Sequence, residues 1–159
     1  MVKQMSKTCG FLGNSSLICK DDVAEQIRHT AIDLITNKQV DTFLVGIKGD
    51  FELLSHKVIS QVRNDFPNIK IMLVIAYVKD LEKCSYYYND FYYPALSELG
   101  YKRWSISYRN EWIIDQSDFI IGYNRYEGRA YKYCKKAKNK GKCIIELGSQ
   151  NDNHRLECL

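Results

Sequence analysis

The stretch Ile69 to Tyr77, IKIMLVIAY, is apolar at nearly every position, and it narrows the fold more than any other segment. A strand with one wet face alternates apolar and polar residues, whereas a nearly continuous apolar run suits a strand covered on both faces. Such strands belong to parallel sheets sandwiched between helices. The run is also far too short to span a bilayer.

The neighbouring segments carry the helices such a sheet requires. Val23, Ile27, Ala31 and Leu34 form an amphipathic stripe within Asp21 to Asn37, with Asp21 or Asp22 as its expected cap. Phe51, Leu54, Val58 and Val62 form a second stripe that stops near Pro67. Thr8 to Leu12 and Thr42 to Val45 read as short strands closed by Gly13 and Gly46. After an irregular middle, Arg109 to Gln116 reads as a short helix with Trp112 and Ile113 inward. Phe119 to Tyr123 then reads as a strand, the stripe of Ala130, Tyr133, Cys134 and Ala137 as a helix, and Lys142 to Leu147 as a last strand. Strands separated by helices of this length imply crossover connections. The expected fold is α/β, a single-domain Rossmann-like three-layer sandwich with a mainly parallel sheet. Its core spans about residues 7–148, and the polar tail 149–159 is expected to be loosely held.

Composition excludes several alternatives. With 45% hydrophobic and 26% charged residues the 159-residue chain is not a disordered one. No apolar stretch of signal-peptide length opens the sequence, so a cytoplasmic protein without membrane contact is expected. Its six cysteines are scattered with no C-x-x-C pair. Reduced cysteines are therefore expected, with Cys9, Cys134 and Cys143 acting as small hydrophobes, and neither a metal site nor a cofactor is indicated. The net charge of +4 draws partly on Lys132 to Lys142, which reads as a solvated helix face; nucleic acid is not an expected partner.

In a sheet of this kind ligands bind beyond the carboxyl ends of the strands. Three turns fall there: Gly13-Asn14-Ser15-Ser16, Gly46 to Asp50, and Asn124 to Gly128. Gly46 and Gly49 permit close backbone approach ahead of a helix N-terminus, with Lys48 beside them. Asp50 suits a helix cap or a ribose hydroxyl better than a phosphate. Ser15 and Asn14 suit phosphate but are also ordinary loop residues. Arg125 and Arg129 flank Gly128 and match phosphate or carboxylate. Arg109 and Asn110 either donate to a ligand or tie their helix to the sheet edge. No Ser/His/Asp set is present, so the candidate general bases are carboxylates: Asp50, Asp115, Asp118 and Glu127.

Three blocks carry a family likeness. CGFLGNSS resembles the C-x-F-T-G-H-R-P opening of the YpsA/YoqJ-like proteins of the SLOG superfamily. FLVGIKGDFELLSHKVISQVRNDFPNIKIMLVIAY resembles the family's second strand, glycine turn, helix and third strand. YRNEWIIDQSDFIIGYNRYEGRAYKYCKKAKNKGKCIIEL resembles its R-N-x-x-M-V-D-x-S-D segment, Gly-Gly turn and last strand. The resemblance implies a nucleotide pocket lined by Gly13, Asn14, Gly46 to Asp50, Arg109, Asn110, Asp118 and Gly128. Relatives include phosphoribohydrolases, DNA-uptake proteins and sensors of NAD-derived messengers.

The departures bear on chemistry. Asn14-Ser15-Ser16 stands where the family has His-Arg-Pro, and Glu127-Gly128 where it has Gly-Gly. The P-G-G-x-G-T-x-x-E segment of the phosphoribohydrolases has no counterpart, since the helix reads GRAYKYCKK. The resulting expectation is a protein that binds a nucleotide or ADP-ribose-type ligand as a sensor or sequestering protein rather than an enzyme. The alternatives are a nucleoside-phosphate hydrolase using Asp50 or Glu127, and a DNA-associated module. Tyrosines from Tyr86 to Tyr93 are expected either to cover a base or to pack in a homo-oligomer interface.

Overall fold

A computed structural model of the chain describes residues 6–84, 91–92, 104–124 and 128–147, with only the backbone described at 83–84 and 91–92. Arg125, Glu127, most of the Tyr86 to Tyr93 cluster and the tail 149–159 lie outside these residues.

The strands are β1 (Lys7–Gly13), β2 (Val40–Val45), β3 (Lys70–Val74), β4 (Phe91–Tyr92), β5 (Phe119–Tyr123) and β6 (Cys143–Glu146). The helices are α1 (Lys20–Lys38), α2 (Asp50–Asp65), a single turn α3 (Leu81–Cys84), α4 (Ser105–Gln116) and α5 (Arg129–Asn139). Every strand pair is parallel, and the six strands lie in the order β4-β3-β2-β1-β5-β6. The expected α/β sandwich is thus observed. No described helix is long and apolar enough to cross a membrane.

Alternate residues of the strands feed the two faces. Cys9, Phe11, Phe43, Val45, Ile71, Ile121 and Ile145 pack with Ile27 and Leu34 of α1 and Val58 and Ile59 of α2. On the other face, Leu12, Ile120 and Ile144 meet Ile114 of α4 and Cys134 and Ala137 of α5. Leu44 and Val74 meet Ile113, with Trp112 half-buried alongside.

Several local expectations need correction. The strand within Ile69 to Tyr77 is shorter, and β4, two residues long, carries too little periodicity to be read from sequence. Helix α4 begins four residues before Arg109, at Ser105. Asp21 and Asp22 lie in the first turn of α1 behind Cys19, without a side-chain capping bond. Cys9, Cys19 and Cys134 are free thiols, but Cys143 is disulfide-bonded, against the expectation of a reduced residue there.

The strand order creates one switch point. From β1 the chain builds outward through β2, β3 and β4, then returns to the other flank of β1 as β5. The connections leaving β1 and β5 therefore diverge and open a crevice beyond their carboxyl ends.

Candidate functional site at the switch point

The last register pair of β1 and β5 is Gly13 with Tyr123, and the Asn14 amide donates to the Tyr123 carbonyl at 2.9 Å. The ring of Phe51, in the first turn of α2, stacks on Tyr123 with centroids 5.8 Å apart. A Cβ on Gly13 would stand 2.1 Å from Phe51 Cδ1, so glycine here lets α2 dock against the switch point. Gly49, the residue before α2, has a φ of +93° and packs against the Ser15 backbone. The Asp50 amide closes this corner by donating to the Ser15 carbonyl at 2.8 Å.

Beyond these strand ends lies a cleft of about 410 Å³, within the roughly 300–1,000 Å³ typical of small-molecule sites. It brings together Gly13, Asn14, Ser15, Lys48, Gly49, Arg109, Asn110 and Arg129 from the residues singled out by sequence. Leu12, Glu52, Ile106, Ala130 and Tyr133 also line it and were not anticipated. The first turns of α2 and α5 both open on the cleft, through Gly49 and Glu52 on one side and Arg129 and Ala130 on the other. Helix N-termini present unpaired amides and a positive dipole end.

Glu52 changes the reading of Arg109. Both residues are buried, and they form a bidentate ion pair: Arg109 Nη2 donates to Glu52 Oε1, and Nη1 donates to Oε2 at 3.1 Å. Glu52 Oε2 also accepts from the Lys48 amide. Asn110 Oδ1 accepts from Arg109 Nε at 3.2 Å and from Nη2 at 2.9 Å. The guanidinium is thereby committed to the protein, and the pair fastens α4 to α2 across the end of β2. Gly46 accommodates it: a Cβ there would meet Glu52 Oε2 at 2.5 Å and Arg109 Nη1 at 2.6 Å. Glu52 left no distinct trace in the sequence, since an acid in a first helical turn is unremarkable and its partner is 57 residues away.

The remaining cations differ in availability. Lys48 Nζ lies 3.1 Å from the buried carboxylate of Asp80 and 5.2 Å from the Tyr77 ring centroid. Arg129 is exposed, with no ion pair among the described residues.

Other candidates stand apart. Asp118 immediately precedes β5, so the strand direction puts it at the amino edge of the sheet, opposite the cleft. There its carboxylate accepts from the Thr8 amide at 2.9 Å. Asp50 points outward, half-exposed and 3.8 Å from Lys20 Nζ, and does not line the cleft. Gly128 precedes α5 as its cap and Gly46 lies behind the ion pair; neither lines the cleft wall. Asp115 is held at 2.6 Å by Lys140. No metal-ligand cluster occurs among the described residues.

No family model and no curated protein matches the chain. In three dimensions it is similar to a solved structure of DNA processing protein A from Helicobacter pylori, described for its single-stranded DNA binding mode. The TM-score is 0.54 and the identity 14%, over 93% of this chain and 68% of that one. At that identity the likeness concerns the fold, a Rossmann-like α/β architecture.

Proposed function

We propose that the cleft binds a nucleotide or ADP-ribose-type ligand through its phosphate groups, and that the protein acts as a sensor or sequestering protein. The observation that carries this reading is the convergence of two helix N-termini, Lys48 and Arg129 on one cleft at the switch point. That is the environment in which anionic oxygens are stabilised by amides, dipoles and charge together. The resemblance of the third sequence block to SLOG proteins supports the same ligand class. Glu52 is the one described carboxylate in the cleft, and both its oxygens are engaged by Arg109 and the Lys48 amide. A carboxylate so held suits a structural clamp better than an acid or base in glycosidic hydrolysis.

Single-stranded nucleic acid is the second reading. It is favoured by the likeness to a protein that binds single-stranded DNA, which leans against setting nucleic acid aside.

Calorimetric titration with AMP, ADP-ribose and a ten-nucleotide thymidine strand tests both. The first reading predicts saturable binding of AMP or ADP-ribose, weakened about tenfold or more in Arg129→Ala through loss of a charge-assisted contact worth roughly 1.5–3 kcal/mol. If only the strand binds, with an affinity that falls as salt rises, the second reading replaces it. If none binds, both are wrong.

A further inference from the structure

Next to the cleft is a second concavity of about 540 Å³, walled by Tyr77, Trp104, Lys132, Tyr133 and Lys136 among others. The two hollows share Ile106, Arg129 and Tyr133, so they adjoin along a common wall that includes Arg129.

Its chemistry differs from that of the cleft. Trp104 keeps 47% of its surface exposed, an unusual state for the largest aromatic side chain. The Tyr77 ring has Lys48 Nζ, itself paired with Asp80, and Lys79 Nζ each 5.2 Å from its centroid, so Lys79 supplies the positive charge at the junction. Lys136 is neutralised by Glu111. Lys132, one helical turn from Arg129, is exposed and has no ion pair among the described residues. Among the described residues the groove thus offers an aromatic floor, two cations along α5 without an ion pair, and no lining carboxylate. Aromatic faces interleaved with backbone-tracking cations are what phosphate-linked bases require.

We infer that the groove is a second nucleoside subsite, so that the ligand is two nucleotides long. Its second base stacks on Trp104, and its linking phosphate lies between Arg129 and Lys132. This rests on the reading of the cleft as a nucleotide site and extends it. The shared chemistry is two nucleosides joined through phosphate, whether as a free pyrophosphate-linked dinucleotide or as neighbouring units of a single strand.

The chain has two tryptophans, and Trp112 packs against the core away from the groove. Trp112→Phe therefore leaves Trp104 as the sole reporter. In that background AMP, NAD and a ten-nucleotide thymidine strand are titrated, following fluorescence. Either NAD or the strand should quench Trp104 and bind at least tenfold more tightly than AMP. Whichever of the two does so identifies the source of the ligand. In the wild-type background, Trp104→Leu should lower that affinity roughly 5- to 150-fold, the range that base stacking supports, while changing AMP affinity less than twofold. Trp104→Phe should restore most of the loss.

AMP binding with no advantage for either longer ligand would overturn the inference and leave the nucleotide reading standing. An equal loss of AMP affinity in Trp104→Leu would also overturn it, because the groove would then hold the first base. Absence of binding by all three would remove both.

Discussion

Gly46→Ala isolates the buried ion pair that builds the floor of the cleft. Gly46 is not among the residues with a left-handed backbone, so alanine is conformationally acceptable and the effect is steric. The added Cβ would lie 2.5 Å from Glu52 Oε2, 2.6 Å from Glu52 Cδ and 2.6 Å from Arg109 Nη1. Both side chains are almost fully buried, at 8% and 3% exposure, and must separate or withdraw. Breaking a buried pair costs about 3–5 kcal/mol, and the stiffer unfolded chain returns about 0.4–1 kcal/mol, leaving a net loss of about 2–4.6 kcal/mol. Urea denaturation followed by circular dichroism measures it by linear extrapolation. Gly141→Ala is the control, with a φ of +78° and nothing within 4 Å; it should lose only the roughly 1–2 kcal/mol of a left-handed alanine. If Gly46→Ala stays within ~0.5 kcal/mol of wild type, the pair does not press against the end of β2 and Arg109 is free for other work.

Three further outcomes follow from the same geometry. Asp118→Ala should cost only about 0.5–1.5 kcal/mol, because the lost acceptor for the Thr8 amide is exposed and water replaces it, and should leave AMP affinity unchanged in a calorimetric titration. In native protein at pH 8, a thiol-reactive reagent should label Cys19 but spare Cys9 and Cys134. Burial pushes the Cys9 thiol far up, and burial with the nearby Glu146 charge pushes Cys134 to about 12, although Lys138 opposes it. Burial, and secondarily Arg63, holds His56 below its ordinary value of 6.5. The unfolded chain then binds the proton more readily, so stability is full above about pH 6.5 and falls as pH drops through the folded-state value. His56→Gln should flatten that fall in denaturation curves taken across the acid range.

The fold was legible because its signals are local. A strand buried on both faces reads within Ile69 to Tyr77 whatever surrounds it, although its ends, Lys70 and Val74, do not, and the stripes of α1 and α2 follow from helical geometry. The carboxyl-edge turns were legible for the same reason, and five of their residues, Gly13, Asn14, Ser15, Lys48 and Gly49, line the cleft. Asp118 was misplaced although the information was present: a residue just before a parallel strand lies at the amino edge. Arg109 is a different case. Its position facing the cleft followed from the helix, but its commitment to Glu52 depends on two elements meeting across β2, which no local pattern encodes. The glycines teach the same lesson. Gly13 and Gly46 are the spacing a ligand turn would show, yet each is explained by a protein neighbour, Phe51 in one case and the Glu52–Arg109 pair in the other.

The central claim is that a nucleotide phosphate is held where α2 and α5 face each other. An amide-resolved NMR titration of ¹⁵N-labelled protein with AMP tests it most directly. The account predicts saturable shifts at Asn14, Ser15, Lys48, Gly49, Arg129 and Ala130, the amides around the cleft. Shifts confined to Ser6, Asp41 and Asn68, around the hollow at the amino edge, or no shifts at millimolar AMP, would contradict it.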